Sequence, residues 1–269
     1  MRREIFFIFF FLLSFCCNCS PSLSRQQYAF QFSTDEIQTI TIEAQKMLIT
    51  VIPSPDTWLH VSYDDFLEED EKRIAVSTEN HALIISGQRN AQTENGIIIS
   101  MPSGIEVEIN AFHADFSLQN LSGNISVRTV DGDMVAENMQ GIILLRTARG
   151  NITISDSQGD ISVLGEHGVL TLDSLHGDID SSTVVGSIQF SGQVLADDDI
   201  FLESDHGSVT ATLTDSENAF INLWSANGTV TCMLTGVEMT NITCQREPEV
   251  RVGSFQIKTV WGRIIVNSD

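Results

Sequence analysis

Basic residues are scarce in this chain: its 269 residues include 14 Lys and Arg against 36 Asp and Glu, for a formal net charge of −22. No cluster of basic residues interleaved with aromatic residues offsets this balance. Because an acidic surface repels phosphate groups, the composition excludes nucleic acid and anionic lipid headgroups as partners. The same acidity keeps an exposed protein soluble, which is its simplest explanation.

Long apolar runs are equally rare, and the one clear example lies at the start of the chain. Arg2 and Arg3 precede an apolar run from Ile5 to Cys17, and small or polar residues follow. A basic end, a short apolar run and a polar boundary are typical of a secretory signal. The run is shorter than the about 20 residues that a membrane-spanning helix needs, and no later stretch is long or apolar enough to anchor the chain. We therefore predict that residues 1–18 form a signal peptide and that the protein is exported.

Cysteine is infrequent, and three of the five cysteines, Cys16, Cys17 and Cys19, stand at the end of this run. The arrangement resembles a bacterial lipoprotein signal, in which a cysteine after an apolar stretch becomes the acylated first residue. The resemblance is partial, because the residue before that cysteine is usually Gly, Ala or Ser. We predict lipidation of Cys19, with residues 19–27 as a tether and an anchor in the outer or cytoplasmic membrane. Ordinary cleavage near residues 20–24, giving a periplasmic or secreted protein, stays open as the alternative.

Glycine, by contrast, recurs with a fixed period. Eight glycines stand nine residues apart, at positions 123, 132, 141, 150, 159, 168, 177 and 186. With the glycine as position 1, positions 3 and 5 are apolar in nearly every unit, whereas positions 2 and 4 are mostly Asn, Asp, Ser or Thr. Such alternation predicts a short strand with one buried face, and the glycine predicts a turn. Because one strand-and-turn unit cannot bury its apolar face alone, the copies must stack into a β-solenoid.

A second period of 18 residues lies within the first. Position 7 alternates between Asn, Asp or Ser in one set of units and Thr or Gly in the other. One coil should therefore hold two strand-turn units, and neighbouring coils should lie about 4.7 Å apart. We expect residue i to stack on residue i+18 between residues 114 and 186. The deepest burial is expected at Ile152, Ile154, Ile161 and Val163.

The period changes towards the C-terminus. After Gly186 the glycine spacing becomes 21, through Gly207 and Gly228, and it returns to nine near the end. We predict that residue i stacks on residue i+21 along this stretch, so that an all-β parallel solenoid with about 18–21 residues per coil occupies residues 113–269. Residues 28–112 are strand-like but lack the period. They are predicted to form an irregular β region that caps the solenoid, because an exposed terminal edge invites pairing with other chains.

With these features the chain resembles a known family. The repeated G-[ND]-[IV]-x-[VIL] phrases, entered through Ser100–Val107, are similar to the bacterial "putative adhesin" β-solenoid domain of unknown function, over roughly residues 35–269. The motifs specify the architecture and carry no catalytic residues. The resemblance implies a cell-envelope module that binds or scaffolds an unidentified surface ligand, either protein or glycan, without catalytic activity.

A calcium-binding repeat protein is one alternative, because nine-residue repeats with the motif G-G-x-G-x-D-x-U-x bind calcium. Here most units have one glycine and none has three, and the closing Asp is missing from its place. Asp160 and Asp178 should lie side by side, and residues 197–199 (Asp-Asp-Asp) form a second acidic cluster. Such carboxylates can hold a cation weakly, but solvated turn carboxylates are the commoner case.

A β-helix polysaccharide lyase or hydrolase is another alternative, since those enzymes place acids on adjacent coils. Coils of 18 residues with tight turns have no long loops that could form the wall of an active-site cleft.

Four histidines, His113, His167, His176 and His206, fall at position 9, and the predicted turn column places Asn227 after His206. No two of these histidines occupy adjacent coils, which argues against a zinc site with three protein ligands. Ser and Thr form no Ser-His-Asp grouping. We therefore predict no catalytic residue, no cofactor and no metal site.

Two cysteines lie beyond the signal peptide and the tether. Cys232 is position 5 of the unit that Gly228 opens, so that its side chain should face the core, and Cys244 follows another short β-like run. The intervening residues are enough to turn back to an adjacent strand, and an exported chain meets oxidising conditions. We predict a Cys232–Cys244 disulfide that pins the solenoid where its period fails. Two buried free thiols are the alternative.

Overall fold

The structure is a stack of parallel β-coils. The computed structural model describes residues 25–34, 37, 39–66, 74–87, 96–214, 216–249 and 253–268. The signal peptide and Cys19 lie outside these residues. Strands are the only regular elements in the described part of the chain. The first eleven are β1 (Arg25–Ser33), β2 (Thr39–Pro53), β3 (Trp58–Phe66), β4 (Ile74–Glu79), β5 (Ala82–Gly87), β6 (Ile97–Met101), β7 (Ile105–Gln119), β8 (Ser122–Asp131), β9 (Met134–Glu137), β10 (Gln140–Arg149) and β11 (Ile152–Ser155). The other ten are β12 (Gln158–Asp173), β13 (Asp178–Gln193), β14 (Asp199–His206), β15 (Val209–Thr214), β16 (Phe220–Ser225), β17 (Thr229–Cys232), β18 (Glu238–Met239), β19 (Thr243–Arg246), β20 (Ser254–Trp261) and β21 (Arg263–Ser268).

Each coil crosses two columns of hydrogen-bonded strands, which we call the first and second ladders. Four long strands, β2, β7, β12 and β13, run from the first ladder round a corner into the second. The middle of the first ladder has the order β7, β8, β10, β12, β13, β14. The middle of the second has the order β7, β9, β11, β12, β13, β15.

The register of these central coils confirms the predicted solenoid. Ile143 stacks on Ile161, 18 residues later, and Asp178 stacks on Asp199, 21 residues later. All the neighbouring pairs are parallel. The four residues expected to be most deeply buried, Ile152, Ile154, Ile161 and Val163, lie in the core. The fold follows from the alternation because each inward position meets the equivalent residue of the next coil.

Close backbone approach explains the repeated glycine. At Gly159 the backbone has a φ of +127°, and a Cβ there would lie 2.1 Å from the carbonyl oxygen of Gly141 on the neighbouring coil. Any side chain would therefore force the coils apart. Position 7 alternates because the two corners differ. Asn138 adopts a left-handed φ of 54° at one corner, whereas the buried Thr147 donates a hydrogen bond to the carbonyl of Gly132 at the other.

The C-terminal coil departs from the predicted order. Stacking of residue 199 on residue 220 was expected, but β20 lies between β14 and β16 and is parallel to both. In the second ladder β21 likewise separates β15 from β17. The prediction of i+21 stacking up to residue 228 is therefore wrong for the last coil. The glycine period specifies strands and turns, but any coil presents a similar edge, so the period does not decide which coil is the neighbour.

At the N-terminal end, too, the coils do not stack in the order in which they occur in the sequence. Strand β2 lies between the coil of β5 and β6 and the coil that begins with β7. Regular parallel coils therefore start near residue 39, and the division placed at residues 112/113 falls inside β7 and does not separate two structures. Antiparallel strands cover the end of the stack: β4 pairs with β5, and β3 pairs with β6 and β1.

Antiparallel strands also cover the other end. Strand β19 pairs with β16, and β18 pairs with β19. Arg246 holds the adjoining loops, because its guanidinium donates to the carbonyls of Ser216, Ala219 and Thr235. Burial lowers the pKa of Arg246 from its ordinary value, while the charge of Glu217 acts in the opposite direction.

Candidate functional site

The outer face of the first ladder carries most of the distinctive chemistry. Its centre is acidic: Asp178 stacks on Asp199, and Asp160 lies one coil before Asp178. With Asp180, two residues from Asp178 on β13, these side chains form an acidic belt that runs along three consecutive coils in the middle of the rod. The side-by-side arrangement expected for Asp160 and Asp178 follows from the register. The carboxylates stand on an open sheet, as solvated surface acids commonly do.

A different surface lies on the C-terminal side of this belt. The outward positions of β14, β20, β16 and β19 form a shallow depression of about 240 Å³. We call it the amide–aromatic patch; its outward side chains are Phe201, Asn222, Trp224, Gln245, Gln256 and Lys258. One row of neighbours across the strands runs Phe201, Gln256, Asn222, Gln245. Sequence reasoning did not identify this patch, although aromatic residues at outward strand positions were visible in the units that contain Phe201 and Trp224.

The side chains of the patch are partly ordered by one another. Trp224 is 39% exposed, and Lys258, its neighbour on β20, forms an ion pair with Glu203 on β14. The amide of Gln245 donates to the Oδ1 atom of Asn222 at 3.2 Å. The patch therefore presents ring surface, amide groups and an internally neutralised charge pair.

The predicted histidine column lies at one corner. His113 contacts Asp131 with an Nδ1–Oδ2 distance of 2.9 Å, and Arg149 donates to the same carboxylate at 2.7 Å. His206 neighbours Trp261, not Asn227, because β20 is inserted there. His176 is at the opposite corner, with its Nδ1 atom 3.8 Å from Asp198. Asp131 thus joins His113 and Arg149 at the surface, and exposed pairs of this kind contribute little to stability.

The second acidic cluster has a structural role. Asp198 is buried, and its two carboxylate oxygens accept the backbone N–H groups of Gly177 and Leu195, each at 2.8 Å. Asp199 accepts a hydrogen bond from Ser254 of the inserted coil. Asp197 has a left-handed φ of 70° in the turn. These acids shape the longer turn of the coil and tie it to its neighbours.

A larger depression of about 830 Å³ lies on the N-terminal side of the acidic belt. Arg128 and Glu108 form an ion pair along it, and Ile142 and Leu144 contribute apolar surface. It is an open groove on the same outer face. Its one arginine is paired with Glu108, and none of the described residues that line it is aromatic, so the groove lacks the ring surface of the amide–aromatic patch.

The two late cysteines come together at the C-terminal end. Cys232 ends β17, Cys244 lies on β19, and their sulfur atoms are in bonding contact with Cα atoms 6.4 Å apart. This separation suits a disulfide. Such a bond would join the outermost coil to the strand that covers it. Lipidation at Cys19 lies outside the described residues.

The described ranges of the chain contain no group of three or more His, Cys, Asp or Glu residues that could hold a metal ion. Nor does any helix capable of crossing a membrane occur among the residues that the structure describes.

Solved structures that resemble this chain cover most of its length. A solved structure of a putative adhesin from Bacteroides fragilis has a TM-score of 0.50 at 12% identity, covering 91% of this chain and 98% of that one. A putative adhesin from Parabacteroides merdae has a TM-score of 0.41 at 10% identity, covering 91% of this chain and 96% of that one. The search of curated proteins finds no match. The family model described as Toastrack DUF4097 matches residues 35–258, and the chain therefore belongs to the Toastrack DUF4097 family.

Proposed function

We propose that this protein is an exported cell-envelope module that binds a surface ligand without catalysing a reaction. The observation that carries the proposal is the long outer face of the first ladder, where exposed rings and amides stand on a rigid sheet. Stacked coils hold such side chains at fixed spacings, so that binding requires little ordering of the protein. The similar structure from Bacteroides fragilis is itself described as a putative adhesin, which supports the same role.

Export and anchoring form the second part of the proposal. The basic end, short apolar run and cysteines at its end support a secreted protein with a lipid on Cys19. Metabolic labelling with a fatty acid should mark the wild type and fail to mark Cys19→Ser. Unchanged labelling of Cys19→Ser would move the lipid to Cys16 or Cys17. A wild type without label would favour a free secreted form.

Retention on defined surfaces tests the binding role. Beads coated with the full chain are passed over surfaces that carry a neutral polysaccharide, an acidic polysaccharide or gelatin. Control beads carry an unrelated protein of similar negative charge, so that charge alone is accounted for. We expect specific retention on at least one surface, and equal behaviour of both kinds of bead on all three surfaces would refute the proposal.

Catalysis is tested separately by measuring newly formed ends of polysaccharide chains. A β-helix lyase or hydrolase would use acids on adjacent coils, and Asp160 and Asp178 are the pair in that position. We expect no release of reducing or unsaturated ends by the wild type. Turnover that disappears in Asp160→Asn or Asp178→Asn would show that the protein is an enzyme.

A calcium-binding repeat would instead be shown by a melting temperature that rises by tens of degrees in millimolar calcium.

A further inference from the structure

We propose that the amide–aromatic patch binds a neutral glycan chain, an inference that rests on the proposed binding role and names its ligand class. The patch combines an exposed ring, Trp224, and a half-buried ring, Phe201, with amides on the strands beside them. Aromatic faces pack against the apolar C–H faces of sugar rings, and the partial charges of the aromatic ring favour this contact. Amides both donate and accept hydrogen bonds, as a ligand made of hydroxyl groups requires.

The spacing of the two rings suits an extended ligand. Phe201 lies two strands away from Trp224 across β20, and Trp224 is two residues further along its strand than the row that contains Phe201. With strands about 4.8 Å apart and a rise of about 3.4 Å per residue, the two Cα atoms are about 12 Å apart. That distance is about the length of a short oligosaccharide. The amide of Gln256 lies on the strand between the two rings, and Asn222 stands two residues before Trp224 on its strand, so both amides border the path that such a chain would take.

The charge of the patch favours neutral glycans over acidic ones. The only cation of the patch, Lys258, is paired with Glu203, and the acidic belt borders Phe201 through Asp199 on the same strand and Asp180 on the next. An acidic or sulfated glycan would be repelled by the belt and would gain no free cation in return. A neutral chain avoids this repulsion and leaves the ion pair intact.

The patch depends on the inserted coil. Gln256 and Lys258 belong to β20, which lies between Phe201 of β14 and the strand of Asn222 and Trp224. Without this insertion β16, the strand of Asn222 and Trp224, would be the direct neighbour of β14, and the positions between the rings would be lost. The ligand surface and the unusual strand order are therefore parts of one arrangement.

The experiment is affinity electrophoresis of the full chain in gels that contain soluble glucan, xylan or mannan, with polygalacturonate as the acidic comparison. We expect at least one neutral polysaccharide to retard the wild type and Trp224→Ala to lower the affinity about ten-fold or more. Gln256→Glu, which keeps the shape but replaces a donor with a charge, should weaken retardation as well. The matched control is Trp261→Ala: Trp261 is 55% exposed on the same strand as Gln256 but lies at the corner, outside the patch, and its loss should change nothing.

Each other outcome overturns the proposal. No retardation by any neutral polysaccharide, stronger retardation by polygalacturonate, or equal losses in Trp224→Ala and Trp261→Ala would each do so. Retention of coated beads on gelatin alone, with no effect of the polysaccharides, would leave the binding role standing and reject the glycan. Sedimentation that shows a dimer abolished by Trp224→Ala would assign the patch to a second copy of this chain instead.

Discussion

Removal of residues 253–269 should unfold far more than the last coil. If the coils stacked in the order in which they occur in the sequence, this deletion would shorten the rod by one coil and leave the rest in place. Here β20 and β21 lie between two other coils, and Phe255, Ile257, Ile264 and Val266 are fully buried. Burial of four such side chains contributes about 6–12 kcal/mol before the entropy cost of ordering the segment is subtracted, and without them β16 and β17 lose the strands against which they pack.

Hydrogen exchange followed by mass spectrometry measures the result segment by segment. In the deletion variant we expect residues 220–246 to exchange as rapidly as an unfolded peptide, while residues 140–173 keep most of their protection. Ile257→Asp should reproduce the loss in the full-length chain, because it buries a charge between two coils. Gln256→Ala, on the outward side of the same strand, is the matched control and should leave protection unchanged. If residues 220–246 stay protected after the deletion, the inserted position of the C-terminal coil is wrong.

Three further predictions concern the core, the cysteines and acid. Ile154→Asp should cost at least several kcal/mol in denaturant titrations, whereas Thr153→Asp, on the opposite face of the strand, should cost little. The oxidised chain should yield joined peptides containing Cys232 and Cys244, and reduction should cost about 3 kcal/mol; complete alkylation of both thiols without reduction would exclude the bond. Hydrogen bonds from His60 and from the backbone N–H of Trp58 lower the pKa of Asp56 below its ordinary value of 3.8, so the stability it contributes is present above that pH and is lost as the pH falls through the lowered value. The difference in thermal stability between wild type and Asp56→Asn should accordingly disappear in strong acid, and a difference that persists there would contradict this assignment.

The repeat alone was enough to predict the strands, the turns and the inward residues. Alternation fixes the side of the sheet on which Ile152 and Ile154 lie, and glycine marks each place where two backbones meet closely. The stacking interval of 18 residues follows from the alternation of position 7. Asn138 occupies a corner with a left-handed backbone, where Thr would be strained, and Thr147 occupies a corner where its buried hydroxyl finds a hydrogen-bond acceptor. Because the two residues cannot exchange corners, each coil must contain two units.

The order of the coils at both ends could not be predicted in the same way. The edges of two coils differ little in shape or hydrogen bonding, so a periodic sequence is compatible with more than one neighbour. Loops and covering strands decide the order, and those segments lack the period. The amide–aromatic patch was missed for this reason, since Gln256 meets Phe201 only through the inserted strand. Chemistry spread over residues 201–258 gives no local signal in the sequence.

The inserted coil also makes the end of the rod depend on the order in which the chain is produced. Residues 220–249 leave the ribosome, or a translocation channel, before residues 254–268, yet they lie outside them in the stack. They have no native neighbour to dock on until the later residues arrive, so this end must close in one late step. A chain released too early would keep two unpaired ladder edges, which proteases and other chains can reach. Complete synthesis is thus a structural requirement for a closed end, and incomplete copies carry an exposed feature by which they can be removed.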